Sequence, residues 1–172
     1  MIDRARTLVI GLGNPLMRDD GIGLAALERL RTEWQIPDDI ELVDGGTWGM
    51  YLLPLLEHAA EVILLDAIRT GAAPGTVVEL RREELPLGLS HKLSPHQIDL
   101  REILAILALR DAMPEDLVAV GIEPALVEMG TELSESVLAS LPVMMDRVAA
   151  QLEARGHRCR RADAREAAPC TN

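Results

Sequence analysis

Phenylalanine is missing from this 172-residue chain, and Trp34, Trp48 and Tyr51 are its only other aromatics. The core must therefore be built from Leu, Ile, Val, Met and Ala. Cysteine is nearly missing too: Cys159 and Cys170 both lie near the C-terminus and form no Cys-x-x-Cys pair. That excludes a zinc knuckle and a disulfide framework. Positive charge is scarce, with 17 Lys and Arg against 28 Asp and Glu and a net charge of −11. Such a balance opposes nucleic acid, whose phosphates are neutralised by Lys and Arg. No apolar run reaches the roughly 18 residues of a membrane span. The opening MIDRARTLVIG lacks a signal peptide's long apolar stretch and cleavage site. No membrane insertion and a cytoplasmic location are the expectation. Neither His-Glu-x-x-His nor Gly-x-Ser-x-Gly occurs, so the common zinc-protease and serine-hydrolase motifs are absent.

What is present alternates between strand and helix. TLVIGLG (Thr7 to Gly13), IELVDGG (Ile40 to Gly46), EVILLDAI (Glu61 to Ile68) and DLVAVGIEP (Asp116 to Pro124) are apolar enough for strands buried on both faces. Helices are predicted over Ile22 to Trp34, Tyr51 to His58, Pro95 to Arg110 and Ser134 to about Arg155. Pro54 belongs in the first turn of its helix or bends it. A strand from Thr76 to Arg81 follows Ile68 too closely for a parallel crossover, so it is predicted antiparallel and at an edge. The fold class is α/β: a three-layer α/β/α sandwich around a five-stranded, mostly parallel mixed sheet. Residues 1–155 make one domain. Residues 156–172, rich in Arg and poor in large apolar side chains, are expected to be a flexible tail whose removal leaves stability unchanged.

The stretch GLGNPLMRDDGIG (Gly11 to Gly23) opens like a phosphate-binding glycine loop. A dinucleotide fingerprint, however, needs a third glycine where Leu16 stands. Asp44 lies about ten residues beyond the ribose-binding spacing. Asp19 and Asp20 would also repel a pyrophosphate, and Lys92, the sole lysine, belongs to no Walker motif. The glycines therefore turn the chain. One of the two acids is expected to cap the next helix, which leaves the other free.

Asp66 ends an apolar strand, and a carboxylate there must be paired, bound to metal or placed at the rim. Ligands of open α/β sheets bind beyond the carboxyl ends of the strands, where Asp66, Asp44 and the Asp20 loop would converge. A rim acid satisfied by backbone amides is the plainer alternative. In LSPHQI, Ser94, Pro95 and Gln97 read as N-cap, first helical residue and capping-box partner. His96 then sits in a first helical turn, where the dipole favours the neutral ring that a metal requires. A solvent-facing histidine is the alternative there. His58, His91 and His157 have no comparable framing and read as surface residues. Asp20, Asp66 and His96 make an oxygen, oxygen, nitrogen set suited to a borderline divalent metal.

These stretches resemble the hydrogenase maturation endopeptidases, which clip a C-terminal extension from the large subunit of nickel–iron hydrogenases. The matching motifs are GLGNPLMRDDGIG, DGGTWGM (Asp44 to Met50), LLDAI with Asp66, APGTV (Ala73 to Val77) and HKLSPHQ (His91 to Gln97). They run in order from about Thr7 to Leu152. The resemblance implies that Asp20, Asp66 and His96 contact metal and serve catalysis, although Glu also occurs in the family at the first position. It implies that nickel arrives with the substrate, with no organic cofactor. It also implies that the partner is the large-subunit precursor and that metal-assisted hydrolysis uses no serine or cysteine nucleophile. A monomer is expected. Two other readings stay open: a nickel-sensing chaperone that binds the same client without cutting, and a peptidyl-tRNA hydrolase. The latter shares the Gly-Leu-Gly-Asn-Pro opening but has a histidine–asparagine pair that Asp19-Asp20-Gly21 replaces here.

Overall fold

The computed structural model describes residues 6–47, 49–85 and 100–162. Its centre is a five-stranded sheet of β1 (Arg6–Leu12), β3 (Ile40–Gly46), β4 (Ala59–Ala67), β5 (Val77–Arg81) and β6 (Asp116–Ile122), while β2 (Trp34–Gln35) stands apart. The order across the sheet is β3-β1-β4-β6-β5. All neighbours are parallel except β5, which runs antiparallel to β6 at the sheet edge. The short connection after β4 thus sets the direction of β5 as expected, but the strand lies beyond β6 rather than beside β4.

Helices α1 (Ile22–Glu33) and α4 (Glu135–Ala154) cover one face, and α2 (Leu52–Glu57) and α3 (Leu100–Leu109) the other. Two apolar layers result. Leu8, Ile10, Leu64 and Ala119 point to α2 and α3, whereas Val9, Ile63, Leu65 and Val120 point to α1 and α4. This is the period-2 alternation of strands buried on both sides. Close approach of α1 depends on Gly23, where a Cβ would stand 2.1 Å from the Leu65 carbonyl oxygen and 2.4 Å from that of Leu12. Gly23 therefore does the helix-on-strand packing for which a dinucleotide fold uses its third glycine. Among the described residues, no helix is long and apolar enough to cross a membrane.

The expected flexible tail does not begin at residue 156. Cys159 is buried in the layer beneath α1 and α4. A short strand β7 (Arg160–Arg161) pairs antiparallel with β2, the Arg161 guanidinium lies 5.7 Å from the Trp34 ring centroid, and the Ala162 N–H donates to the Glu33 carbonyl. His157, read from sequence as a surface residue, is mostly enclosed. Its Nδ1 lies 3.2 Å from Asp39 and its Nε2 3.2 Å from Glu61 and 3.1 Å from the Thr7 hydroxyl. The physical reason is that a small thiol and an imidazole fill the end of the sheet and need no long apolar run. The remaining tail residues, 163–172, lie outside the described residues. Removal of residues 156–172 is therefore expected to cost about 2 kcal/mol of buried contacts. That loss corresponds to a thermal midpoint about 4–8 °C lower by scanning calorimetry. An unchanged midpoint would mean that the docked segment contributes nothing.

Candidate active site

The loop leaving β1 is a stiff turn. Gly13 has φ +110°, and a Cβ there would fall 1.7 Å from the Asp20 carbonyl oxygen, so only glycine fits. Asn14 forms an Asx turn by accepting the Leu16 N–H at 3.0 Å. The chain then bends through a short 3-10 helix, Arg18–Gly21, which packs against β4. Register places Gly11 between Asp44 of β3 and Leu65 of β4, one residue before Asp66. The Asp20 turn and the ends of β3 and β4 thus share the carboxyl rim of the sheet.

Asp19 and Asp20 divide their work, though not as the sequence suggested. Neither caps α1, whose N-cap is Gly21 with no side-chain hydrogen bond. Asp19 is fully buried and reaches across to the segment between β6 and α4. Its Oδ2 accepts the N–H groups of Ala125 and Leu126 and the Ser134 hydroxyl at 2.8–2.9 Å. Its Oδ1 accepts the Ser134 N–H at 2.6 Å. Burial by itself pushes this carboxyl up, but the donors of Ser134, Leu126 and Ala125 outweigh it and hold the group below its ordinary value.

Asp20 is the acid left over. It is half-buried, and its Oδ2 accepts the Asn14 N–H at 2.9 Å. Burial raises its pKa, and the Asn14 bond and the Arg69 charge offset this only in part. A raised carboxyl pKa means that the folded chain takes up the proton more readily than the unfolded one. Its stabilising influence is present below the ordinary carboxyl range and lost as pH rises through the raised value. At neutral pH the ionised group is thus a net cost. Asp20→Asn, which keeps an acceptor for Asn14, is expected to leave the thermal midpoint at pH 7 equal or slightly higher. A clear fall would show that the carboxylate is structural.

Asp66 is half-buried at the end of β4, and its Oδ1 accepts the Ala67 N–H at 2.8 Å. Asp44 lies on the same rim, at the end of β3. His96 and the Ser94–Gln97 capping box lie outside the described residues, as do His91 and the start of the predicted helix from Pro95. Among the described residues, no group of three His, Cys, Asp or Glu side chains is arranged to hold a metal. The structure thus brings the elements of Asp20 and Asp66 to one rim.

Sequence reading missed Glu123. Buried at the exit of β6, it accepts the Thr70 N–H at 2.6 Å and its hydroxyl at 2.9 Å, which fixes the loop that leaves β4 just after Asp66. The signal was available, because Glu123 ends an apolar strand as Asp66 does.

A rim of acids beyond the carboxyl ends of an α/β sheet, without a nucleotide loop, defines the class of site. Comparison with known proteins defines its family. The family model described as hydrogenase maturation protease matches residues 24–151. The hydrogenase 2 maturation protease of Escherichia coli (strain K12) is 38% identical over 152 residues, covering 88% of this chain and 93% of that protein. The hydrogenase expression/formation protein HupM of Azotobacter chroococcum mcd 1 is 37% identical over 166 residues, covering 94% and 79%. The solved structure of the hydrogenase maturating endopeptidase HybD from E. coli superposes with a TM-score of 0.84 at 36% identity, over 91% of this chain and 97% of that one. This chain belongs to the hydrogenase maturation protease family. It is a peptidase, and the chaperone and peptidyl-tRNA hydrolase readings have no support.

Proposed function

We propose that this chain cuts one peptide bond near the C-terminus of a nickel-loaded large-subunit precursor of a nickel–iron hydrogenase and so releases a C-terminal extension. Asp20, Asp66 and His96 contact the nickel that the substrate brings. The observation that carries this reading is Asp20: a partly desolvated carboxylate, raised in pKa, held by one backbone donor on the rim it shares with Asp66. Its ionised form is unfavourable as it stands, and a cation would relieve that cost. Two carboxylates and an imidazole suit a borderline divalent ion, and the metal can polarise the scissile carbonyl or deliver water. In this reading the chain acts as a monomer in the cytoplasm and carries no organic cofactor.

The test is to incubate the purified protein with nickel-loaded and nickel-free precursor and to weigh the products. Loss of the C-terminal extension from the loaded precursor alone is the expected result. Equal cleavage of both forms would overturn the nickel check. Binding without loss of mass would overturn cleavage of this client.

A further inference from the structure

Leu16, Leu126 and Met129 are 63%, 40% and 87% exposed, unusual for large aliphatic side chains within one small area. They sit on two loops joined by hydrogen bonds. The Gly130 N–H donates to the Leu16 carbonyl at 3.0 Å, the Arg18 N–H to the Gly130 carbonyl at 2.9 Å and the Asp19 N–H to the Leu126 carbonyl at 3.2 Å. Arg18 and Glu128 add an ion pair, and the buried Asp19 carboxylate clamps both loops from beneath. The surface is therefore preorganised, so little ordering entropy opposes a ligand. It adjoins Asp20, four residues beyond Leu16 in the same loop.

Glu128 is paired with Arg18, and the chain running on from Met129 and Gly130 carries the exposed acids Glu132 and Glu135. Two copies meeting through this face about a twofold axis would bring the acidic fringes together, on chains that each carry −11. Acidic borders around an apolar centre suit a partner of opposite character. We propose that the Leu16–Leu126–Met129 surface captures the client polypeptide through an apolar segment flanked by Lys or Arg. This rests on the reading of the adjoining rim as the cleavage site: a chain delivered to Asp20 can lie across these loops.

The probe is the nickel-loaded large-subunit precursor, with binding measured by calorimetry and cleavage by mass. The double variant Leu16→Ser/Met129→Ser removes two exposed side chains, so its thermal midpoint should match the wild type. Its Kd and KM for the precursor should rise about tenfold, the loss of one to two interface anchors. Glu132→Gln/Glu135→Gln should weaken the dependence of binding on salt. Unchanged Kd and KM in the double variant, with wild-type cleavage intact, would overturn the docking surface and spare the proposed function. Wild-type binding without cleavage, lost in the double variant, would overturn the function and support the surface. A wild-type dimer that the double variant dissolves would overturn the client as occupant.

Discussion

Asp19→Asn is expected to lower the thermal midpoint by about 6–12 °C, the equivalent of about 3 kcal/mol for a chain of this size. Both carboxylate oxygens of Asp19 face donors: three backbone N–H groups and the Ser134 hydroxyl. An asparagine of the same shape must point its NH2 at one of those donors in either orientation. The better orientation still sets it against the Ser134 N–H, 2.6 Å from Oδ1 in the native chain. Hydrogen bonds to a charged acceptor are the stronger class, and stranded buried donors lose their hydration as well.

The effect should depend on pH with a definite sign. The Asp19 pKa is lowered in the folded chain, so its stabilisation is complete above the ordinary carboxyl range and is lost as pH falls through the folded value. Urea midpoints of wild type and variant should therefore differ fully at pH 7 and begin to converge only as pH falls below the ordinary carboxyl range toward the lowered folded value. A gap that stays constant as pH falls well below the ordinary carboxyl range would mean that shape, and not ionisation, makes the clamp. Because Asp19 precedes Asp20 and fixes the Leu126 loop, precursor binding should weaken in parallel.

The architecture was legible because apolar runs and connection lengths constrain it strongly. Strands such as EVILLDAI can only be central, and the short link from Ile68 leaves β5 no parallel route. What stayed hidden depends on contacts distant in sequence. Asp19 and Asp20 are chemically identical neighbours, and nothing local says that one reaches Ser134 across 115 positions while the other stays at the rim. The docking of the segment around His157 and Cys159 is hidden from the sequence for a similar reason. Composition detects large apolar surfaces, whereas this segment holds on through one thiol, one imidazole between two acids and a two-residue strand. Asp66 and Glu123 both ended apolar strands. The role of Glu123 depends on Thr70, 53 positions away, which nothing local to DLVAVGIEP indicates.

Asp66→Asn and His96→Ala are each expected to reduce cleavage of nickel-loaded precursor by at least about a hundredfold, since loss of outer-shell partners alone costs 10–100-fold at metal sites. Asp66→Asn is the more discriminating of the two. An asparagine oxygen can still accept the Ala67 N–H that Asp66 accepts at 2.8 Å, so the end of β4 should keep its conformation and the midpoint its value. An amide is a much weaker ligand for a divalent ion than a carboxylate, and activity should fall although stability does not. Asp20→Glu should be the mildest change: it keeps the charge and moves the carboxylate outward by one methylene from the turn that Gly13 and Asn14 fix. Asp20→Asn should lose cleavage as fully as Asp66→Asn while its stability holds or rises. This opposition separates a metal-facing acid from the structural acid beside it, since Asp19→Asn should lose stability first. Cleavage at the wild-type rate by either Asp66→Asn or His96→Ala would remove that residue from the nickel-contacting set.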